Sequence, residues 1–233
     1  MNKNNEFVLF DLNSLGKLTN GKFLERINRF VGKIKVNNQV KTCHIADTGR
    51  LKELLTYGSD ILLLKNPANL KTDYKLITVK KDDELILLNT SFHSKIAEEA
   101  IKYGILGYIP QSIKREVQFN KSRLDYLVNN DTYIELKGCN LTINNTCLFP
   151  DAPTTRGKRH IEELILAKNR GYKSIILIMA LRDCDCFLPN KETDPEFYNL
   201  FFLALKTGVK PIIFKVKIDN NKKIILDTTI NLC

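Results

Sequence analysis

An aspartate, a glutamate and a lysine in the middle of the chain have the types and spacing of a metal-dependent hydrolytic site. Asp125 precedes a turn at residues 129–131, and Glu135 and Lys137 follow it. An antiparallel hairpin of this length places Asp125 beside Glu135, and residues two apart on a strand project from one face. Two carboxylates and an ammonium on one buried face are costly unless a divalent cation compensates them.

This trio predicts metal-assisted hydrolysis of phosphodiester bonds. Mg²⁺, or Mn²⁺ in its place, binds one or two carboxylates, here Asp125 and Glu135, together with waters and phosphate oxygens. Such a metal activates a bound water and stabilises charge at phosphorus, while Lys137 holds the water or helps to deprotonate it. Glu99, or its neighbour Glu98, is placed on the preceding helix to complete the metal shell. The simpler alternative is a solvent-facing Glu-x-Lys pair on an amphipathic strand.

A basic segment at the start of a helix is the second candidate for function. After a loop rich in Pro and Asp, the sequence continues with a cluster of basic residues: Arg156, Lys158, Arg159 and His160. The helix macrodipole disfavours cations at this end, so their presence indicates a use such as phosphate binding. We expect the cluster, with Arg123, to contact a nucleic-acid backbone; a solvated basic turn is the alternative.

The elements that must position these residues fall into two groups. The first group is strand-rich, and its alternating segments are predicted strands: 17–25, 29–36, 39–45, 60–65, 75–79 and 84–89. A short helix, capped by Thr48 and ended by Gly58, is predicted between the third and fourth strands. This order predicts a small closed barrel of the OB type, which often binds oligonucleotides.

Arginines beside an aromatic residue suggest a binding face on this barrel. Arg26, Arg29 and Arg50 are the candidate nucleic-acid contacts, with Phe30 available for base stacking. Ordinary barrel patterning is the alternative.

The second group alternates helices and strands in the order α-β-β-β-α-β-α-β, and a last strand follows at the end. The predicted helices are 94–103, 156–170 and 194–206, and the predicted strands are 113–119, 123–128, 132–137, 174–180, 211–217 and 223–230. The order predicts a mixed sheet flanked by helices. The fold class is therefore α+β, with an OB-like nucleic-acid-binding domain at 1–85 and a nuclease-like domain at 86–233.

Composition narrows the class of protein. The formal net charge is +10, which suits a polyanionic partner but also suits simple solubility. No apolar run approaches the length of a membrane span and no signal peptide is evident, so a cytoplasmic protein is expected. The six cysteines are expected to be free thiols in that compartment. The sequence lacks a Gly-rich phosphate loop and a nucleophile elbow, which argues against a small-molecule enzyme.

These segments together resemble the sugar fermentation stimulation protein A family. The similar motifs are R-x-N-R-F-V at 26–31, T-G-R-L at 48–51, S-R-x-D at 122–125, E-x-K at 135–137, F-P-D-A-x-T at 149–154, R-G-x-x-H at 156–160 and D-P at 194–195. The chain departs from the family at Asp47 and His93, where asparagine is usual. The spacing Asp-x9-Glu-x-Lys also resembles the PD-(D/E)xK nuclease superfamily, whose core order is α-β-β-β-α-β.

The resemblance implies an OB-like domain, a nuclease-like domain, DNA binding and a link to sugar metabolism. Two functions follow: a divalent-metal-dependent nuclease, or a non-catalytic DNA-binding regulator of sugar metabolism.

Overall fold

Short strands separated by Asn, Asp and Gly turns dominate this computed structural model, which describes residues 7–233. Contacts divide the chain into two units: unit one, up to His93 together with Lys217–Leu226, and unit two, Ser94–Val216 together with Asp227–Cys233. No helix among the described residues is long and apolar enough to cross a membrane.

Unit one contains an OB barrel, as the sequence predicted. Its strands are Val8–Asp11 (β1), Leu18–Asn28 (β2), Val31–Val36 (β3), Gln39–His44 (β4), Asp60–Lys65 (β5), Tyr74–Lys81 (β6) and Glu84–Leu87 (β7), with 3₁₀ turns at Leu12–Leu15 and Thr90–Phe92. The sheet order is β4-β3-β2-β5-β6-β7, and pairing of β4 with β6 closes a barrel of five strands. Asn37 and Asn38 both have positive φ, which gives the predicted β3–β4 hairpin its tight turn.

The predicted helix between β4 and β5 is wrong, because the segment forms a series of turns. Its backbone carbonyls are bound by arginine side chains: Arg26 donates to the oxygens of Asp47, Gly49 and Arg50, and Arg29 to that of Thr48. These carbonyls are therefore not available as the acceptors of a helix. Leu51, with φ of 52°, and Leu54 are buried in the barrel core, so the apolar spacing reflects core packing rather than a helical face.

Unit two is a mixed sheet with flanking helices, also as predicted. Its strands are Ile113–Phe119 (β8), Ser122–Val128 (β9), Thr132–Cys139 (β10), Leu141–Ile143 (β11), Thr146–Phe149 (β12), Lys173–Ala180 (β13), Cys186–Pro189 (β14), Lys210–Ile218 (β15) and Lys223–Leu232 (β16), the last two extending into unit one. Its helices are His93–Tyr103 (α1), Thr155–Asn169 (α2) and Pro195–Lys206 (α3). The order is β11-β12-β14-β16-β15-β13-β10-β9-β8, in which β10, β13 and β15 are parallel.

Strands β11, β12 and β14 were not predicted, because they are too short to show a period. The same region corrects the expectation that all six cysteines are free. Cys147 is bonded to Cys184 and Cys186 to Cys233, while Cys43 and Cys139 are buried free thiols. Parallel pairing of β12 with β14 sets Cys147 opposite Phe187, and this long-range register brings the cysteines together. Spacing along the chain does not reveal it.

Arg26 is expected to be structural rather than a nucleic-acid contact. Its Nη1 lies 2.7 Å from Gly49 O and its Nη2 lies 2.7 Å from Arg29 O. Arg26→Ala should therefore lower the free energy of unfolding by about 3 kcal/mol, because several carbonyls lose a charged donor. The measurement is urea denaturation, with Arg29→Ala as the control. A loss for Arg26→Ala no larger than that for Arg29→Ala would contradict this role.

Candidate metal centre on the mixed sheet

The hairpin of β9 and β10 brings the predicted carboxylates together. Its turn is made by Asn129 and Asn130, both with positive φ, and its ladder pairs Ile134 with Tyr126. The next position along this ladder sets Asp125 beside Glu135. Asp125 Oδ2 accepts a hydrogen bond from the backbone N–H of residue 136 at 2.7 Å, which fixes the carboxylate over β10.

The carboxylate of Glu135 is buried and only half satisfied. Glu135 is 2% exposed. Its Oε1 accepts from Lys137 Nζ and pairs with His160 Nδ1. Its Oε2 is buried and has no hydrogen-bond partner in the described part of the chain. Buried polar atoms are nearly always paired, so an unpaired carboxylate oxygen indicates a missing partner such as an ion or water.

The two carboxylates titrate very differently. Burial, followed by the negative charge of Glu135, raises the pKa of Asp125 from 3.8 to about 7. Burial also acts to raise the pKa of Glu135, but the charge of Lys137 and the hydrogen bond to His160 outweigh it and lower that pKa. Near neutral pH, Glu135 is therefore ionised, while Asp125 is close to the midpoint of its titration.

His160 was predicted to contact nucleic acid, but the structure turns it inward to Glu135. It is 3% exposed, on the first turns of α2. Thr154 caps this helix by accepting from Gly157 N at 3.0 Å, and Asp194 Oδ2 accepts from Thr154 N at 2.9 Å. The start of α2 is thus anchored, which positions the imidazole against the carboxylate.

The rest of the basic cluster divides into paired and exposed cations. Lys158 forms an ion pair with Glu196, so its charge is already matched. Arg156 and Arg159 are exposed, and Arg156 Nε lies 3.5 Å from His160 Nε2. The exposed cations at the start of α2 are therefore the two arginines.

The structure does not bring Glu98 or Glu99 to the metal centre. Neighbouring residues on a strand face opposite sides of the sheet, so Tyr126 faces away from the side of Asp125. Tyr126 donates its hydroxyl to the backbone carbonyl of Ser94 on α1, which places α1 on that other side. Glu98 pairs with Arg115 and Lys102, and Glu99 with Lys102. The predicted third acid is therefore not contributed by α1.

Sequence reasoning missed Glu116 on β8. The ladder of β8 and β9 pairs Arg115 with Tyr126 and Val117 with Leu124, and Glu116 and Asp125 lie between these pairs. Its charge contributes to the raised pKa of Asp125. Only the strand register reveals this neighbour, since the two residues share no sequence motif.

The donor set suits a hard divalent cation. No group of three or more His, Cys, Asp or Glu residues within 7–233 already forms a metal-binding cluster. Two carboxylates with one unpaired oxygen nevertheless match Mg²⁺, which keeps several waters and takes few protein ligands. Asp125 and Glu135 therefore fit the metal predicted from the sequence.

In unit one, the candidate arginines differ in their availability. The Arg26 guanidinium is bound to several backbone carbonyls, whereas Arg29, which donates to Thr48 O alone, and Arg50 are exposed. Phe30 is 49% exposed and Ile27 50% exposed beside them. An exposed aromatic with neighbouring cations is the composition of a stacking platform. Arg123 is likewise exposed in unit two.

The chain thus combines an OB barrel with a mixed sheet that carries Asp125, Glu135 and Lys137 together. This is the organisation of a two-domain protein with a nuclease-like second sheet. Residues 24–88 match the family model described as "SfsA N-terminal OB domain". Residues 91–222 match the model described as "Sugar fermentation stimulation protein RE domain". The chain belongs to the sugar fermentation stimulation protein family.

Relatives cover nearly the whole chain. A "Sugar fermentation stimulation protein homolog" of Thermotoga petrophila is 41% identical over 202 residues, covering 86% of this chain and 89% of the relative. The homolog of Sulfolobus acidocaldarius is 41% identical over 217 residues, covering 93% and 90%. The solved structure of Pyrococcus furiosus SfsA in complex with Ca²⁺ is 28% identical, with a TM-score of 0.88 over 97% of this chain and 99% of that one.

The raised pKa of Asp125 predicts a stability change with pH. Between pH 3.8 and about 7 the folded protein keeps this proton while the unfolded chain loses it, so this group lowers stability as pH rises. In EDTA, Asp125→Asn should therefore gain stability over wild type, and its advantage should be about 2 kcal/mol larger at pH 8 than at pH 5. Urea denaturation at both pH values provides the measurement.

Asp131→Asn is the control, because hydrogen bonds from Thr132 and Lys173 lower the pKa of Asp131. That variant should gain nothing at pH 8. An Asp125→Asn advantage that is the same at both pH values would contradict the raised pKa.

Proposed function

We propose that this protein binds DNA and hydrolyses its phosphodiester bonds with Mg²⁺ or Mn²⁺ held by Asp125 and Glu135. The observation that carries the proposal is the buried Oε2 of Glu135, which lacks a partner beside a second carboxylate. Such an oxygen is costly to bury unless a cation binds it. The arrangement Asp-x9-Glu-x-Lys on a hairpin of a mixed sheet resembles that of PD-(D/E)xK nucleases.

Each side chain has a distinct task in this proposal. When bound, the metal would supply an activated water and stabilise negative charge on the phosphate. Lys137, whose side chain is 12% exposed, neutralises Glu135 and adds positive charge where the phosphate would lie. His160 holds Glu135 Oε1, so that Oε2 is left for the cation. A fixed partner of this kind typically sets the orientation of a metal ligand.

Two further observations support the proposal. The Pyrococcus furiosus relative was solved in complex with Ca²⁺, a cation that prefers the same oxygen ligands as Mg²⁺. The net charge of +10 and the exposed Arg156 and Arg159 suit a polyanion. The exposed Arg29, Arg50 and Phe30 of the OB barrel supply a second surface of the kind that binds single strands.

The second candidate is a DNA-binding regulator of sugar metabolism that does not cleave DNA. The family description refers to sugar fermentation, which favours a regulatory role. The ion pair of Lys137 with Glu135 also neutralises the buried charge without a metal. In this case, Glu135 would serve only in the ion pair with Lys137 and the contact with His160 that joins β10 to α2.

Cleavage of labelled single- and double-stranded DNA with Mg²⁺, Mn²⁺ or EDTA separates the two candidates. The nuclease proposal expects metal-dependent cutting that falls by about 10³-fold in Glu135→Gln and in Lys137→Ala, because each removes charge stabilisation from the reaction. Glu99→Gln, a carboxylate on the other side of the sheet, should cut like wild type. DNA affinity should persist in all variants. Binding without cutting in every metal would instead support the regulator.

The exposed arginines at the start of α2 should contribute to DNA affinity. Arg159→Ala should weaken binding to all sequences alike and reduce the slope of log K against log salt by about 1, because one phosphate contact is lost. The measurement is fluorescence anisotropy at several salt concentrations. Lys158→Ala is the matched control, since Glu196 already neutralises Lys158. Equal slopes in Arg159→Ala and wild type would exclude Arg159 from the interface.

A further inference from the structure

The turn between β2 and β3 displays an aromatic side chain to solvent. Phe30 is 49% exposed, and Ile27, on the strand that leads into the turn, is 50% exposed. A half-exposed ring gains only part of the free energy of burial, so packing within unit one does not account for this residue type. A single exposed apolar residue is ordinary, but this one is held in place and bordered by cations.

The backbone that carries Phe30 is fixed by hydrogen bonds from three directions. Asn28 Oδ1 accepts from the N–H of Phe30 at 2.8 Å. The N–H of Ile45 donates to the carbonyl of Phe30 at 2.8 Å, which joins the turn to the residue after β4. Arg26 Nη2 donates to the carbonyl of Arg29 at 2.7 Å. The ring therefore stands on a preorganised turn, so a ligand that binds it loses little free energy to ordering the protein.

Positive side chains border this turn. Arg29 is exposed, and its Nε donates to Thr48 O at 3.1 Å, which holds the side chain against the loop that also carries the exposed Arg50. Farther along β3, Lys35 is exposed on the outside of the barrel, opposite Lys22 of β2. This surface therefore combines an aromatic ring with the cations that bind a phosphate backbone.

The combination selects an unpaired base. An aromatic side chain stacks on the π-face of any base, whereas in a duplex those faces are covered by the neighbouring base pairs. Phosphate contacts alone would serve a duplex and a single strand alike. The exposed ring therefore adds affinity only where the bases of the nucleic acid are unstacked.

We propose that the turn surface, made of Ile27, Arg29, Phe30 and Arg50, binds single-stranded DNA by stacking a base on the Phe30 ring. Arg29 and Arg50 then bind phosphates of the same strand. The inference rests on the proposed DNA-binding function and names the form of DNA that unit one recognises. It requires neither a metal nor cleavage.

Fluorescence anisotropy of the full chain in EDTA tests the inference with two matched probes. One is a labelled oligo(dT) strand of about 12 nucleotides, a length within the site size of one OB barrel, and the other is the same strand paired with oligo(dA). Phe30→Ala should weaken binding of the single strand by about 10- to 100-fold and leave the affinity for the duplex unchanged. The slope of log K against log salt should stay as in wild type, because no cation is removed.

Two further variants control for side-chain loss and misfolding. Phe30→Trp keeps an aromatic ring on the same turn and should bind the single strand at least as tightly as wild type. Tyr57→Ala is the matched control, because Tyr57 is an aromatic residue of unit one that is 83% exposed on the turns before β5. It should bind both probes like wild type.

The outcomes separate the inference from the proposed function. Wild-type affinity for the single strand in Phe30→Ala would overturn the inference, keep DNA binding, and leave the turn surface to a protein partner. Equal losses for both probes would also overturn it, because the ring would then not select unpaired bases. No binding of either probe by wild type would overturn the inference and the DNA-binding function together.

Discussion

The burial of the Glu135 carboxylate is the constraint on which the rest of unit two depends. A carboxylate removed from water needs compensation at both oxygens. Lys137 and His160 supply it at Oε1, and His160 can do so only because α2 begins at a fixed place. Asp194 fixes that place, since it accepts from Thr154 N and also caps α3 through Phe197 N. The helices, the hairpin and the acid cluster are therefore parts of one arrangement around a single buried charge.

The unpaired Oε2 of Glu135 costs folding free energy, and this cost links the structure of the site to its proposed function. Glu135 stays ionised beside Lys137, while Asp125 keeps its proton up to about pH 7 without a metal. This division lets the folded protein tolerate adjacent acids, and proton release would accompany cation binding. Under the proposed function, the metal would then stabilise Asp125 and Glu135, whose negative charges repel each other without it. Under the proposed function, the site exchanges some stability for the ability to bind a cation and a phosphate.

Local patterns predicted the features that depend on neighbours in sequence. The hairpin signals at Asn37-Asn38 and Asn129-Asn130 gave the turns, and alternation gave the barrel, the mixed sheet and the adjacency of Asp125 to Glu135. Features set by distant contacts were missed. The segment after Asp47 is held by arginine side chains instead of helical hydrogen bonds, His160 turns inward, and Glu116 comes near Asp125 only through strand register. A motif cannot encode these contacts, because each depends on packing between separate elements.

The most direct test of the proposed metal centre is the position of the cation itself. Crystals of the full chain grown with MnCl₂ would show, by anomalous scattering, where the metal binds. The proposed site predicts a peak about 2.1 Å from Glu135 Oε2, the distance of a hard-cation ligand, with Asp125 in the same coordination sphere. A peak elsewhere, or none beside Glu135 at a saturating metal concentration, would show that the buried carboxylate serves stability and not metal binding.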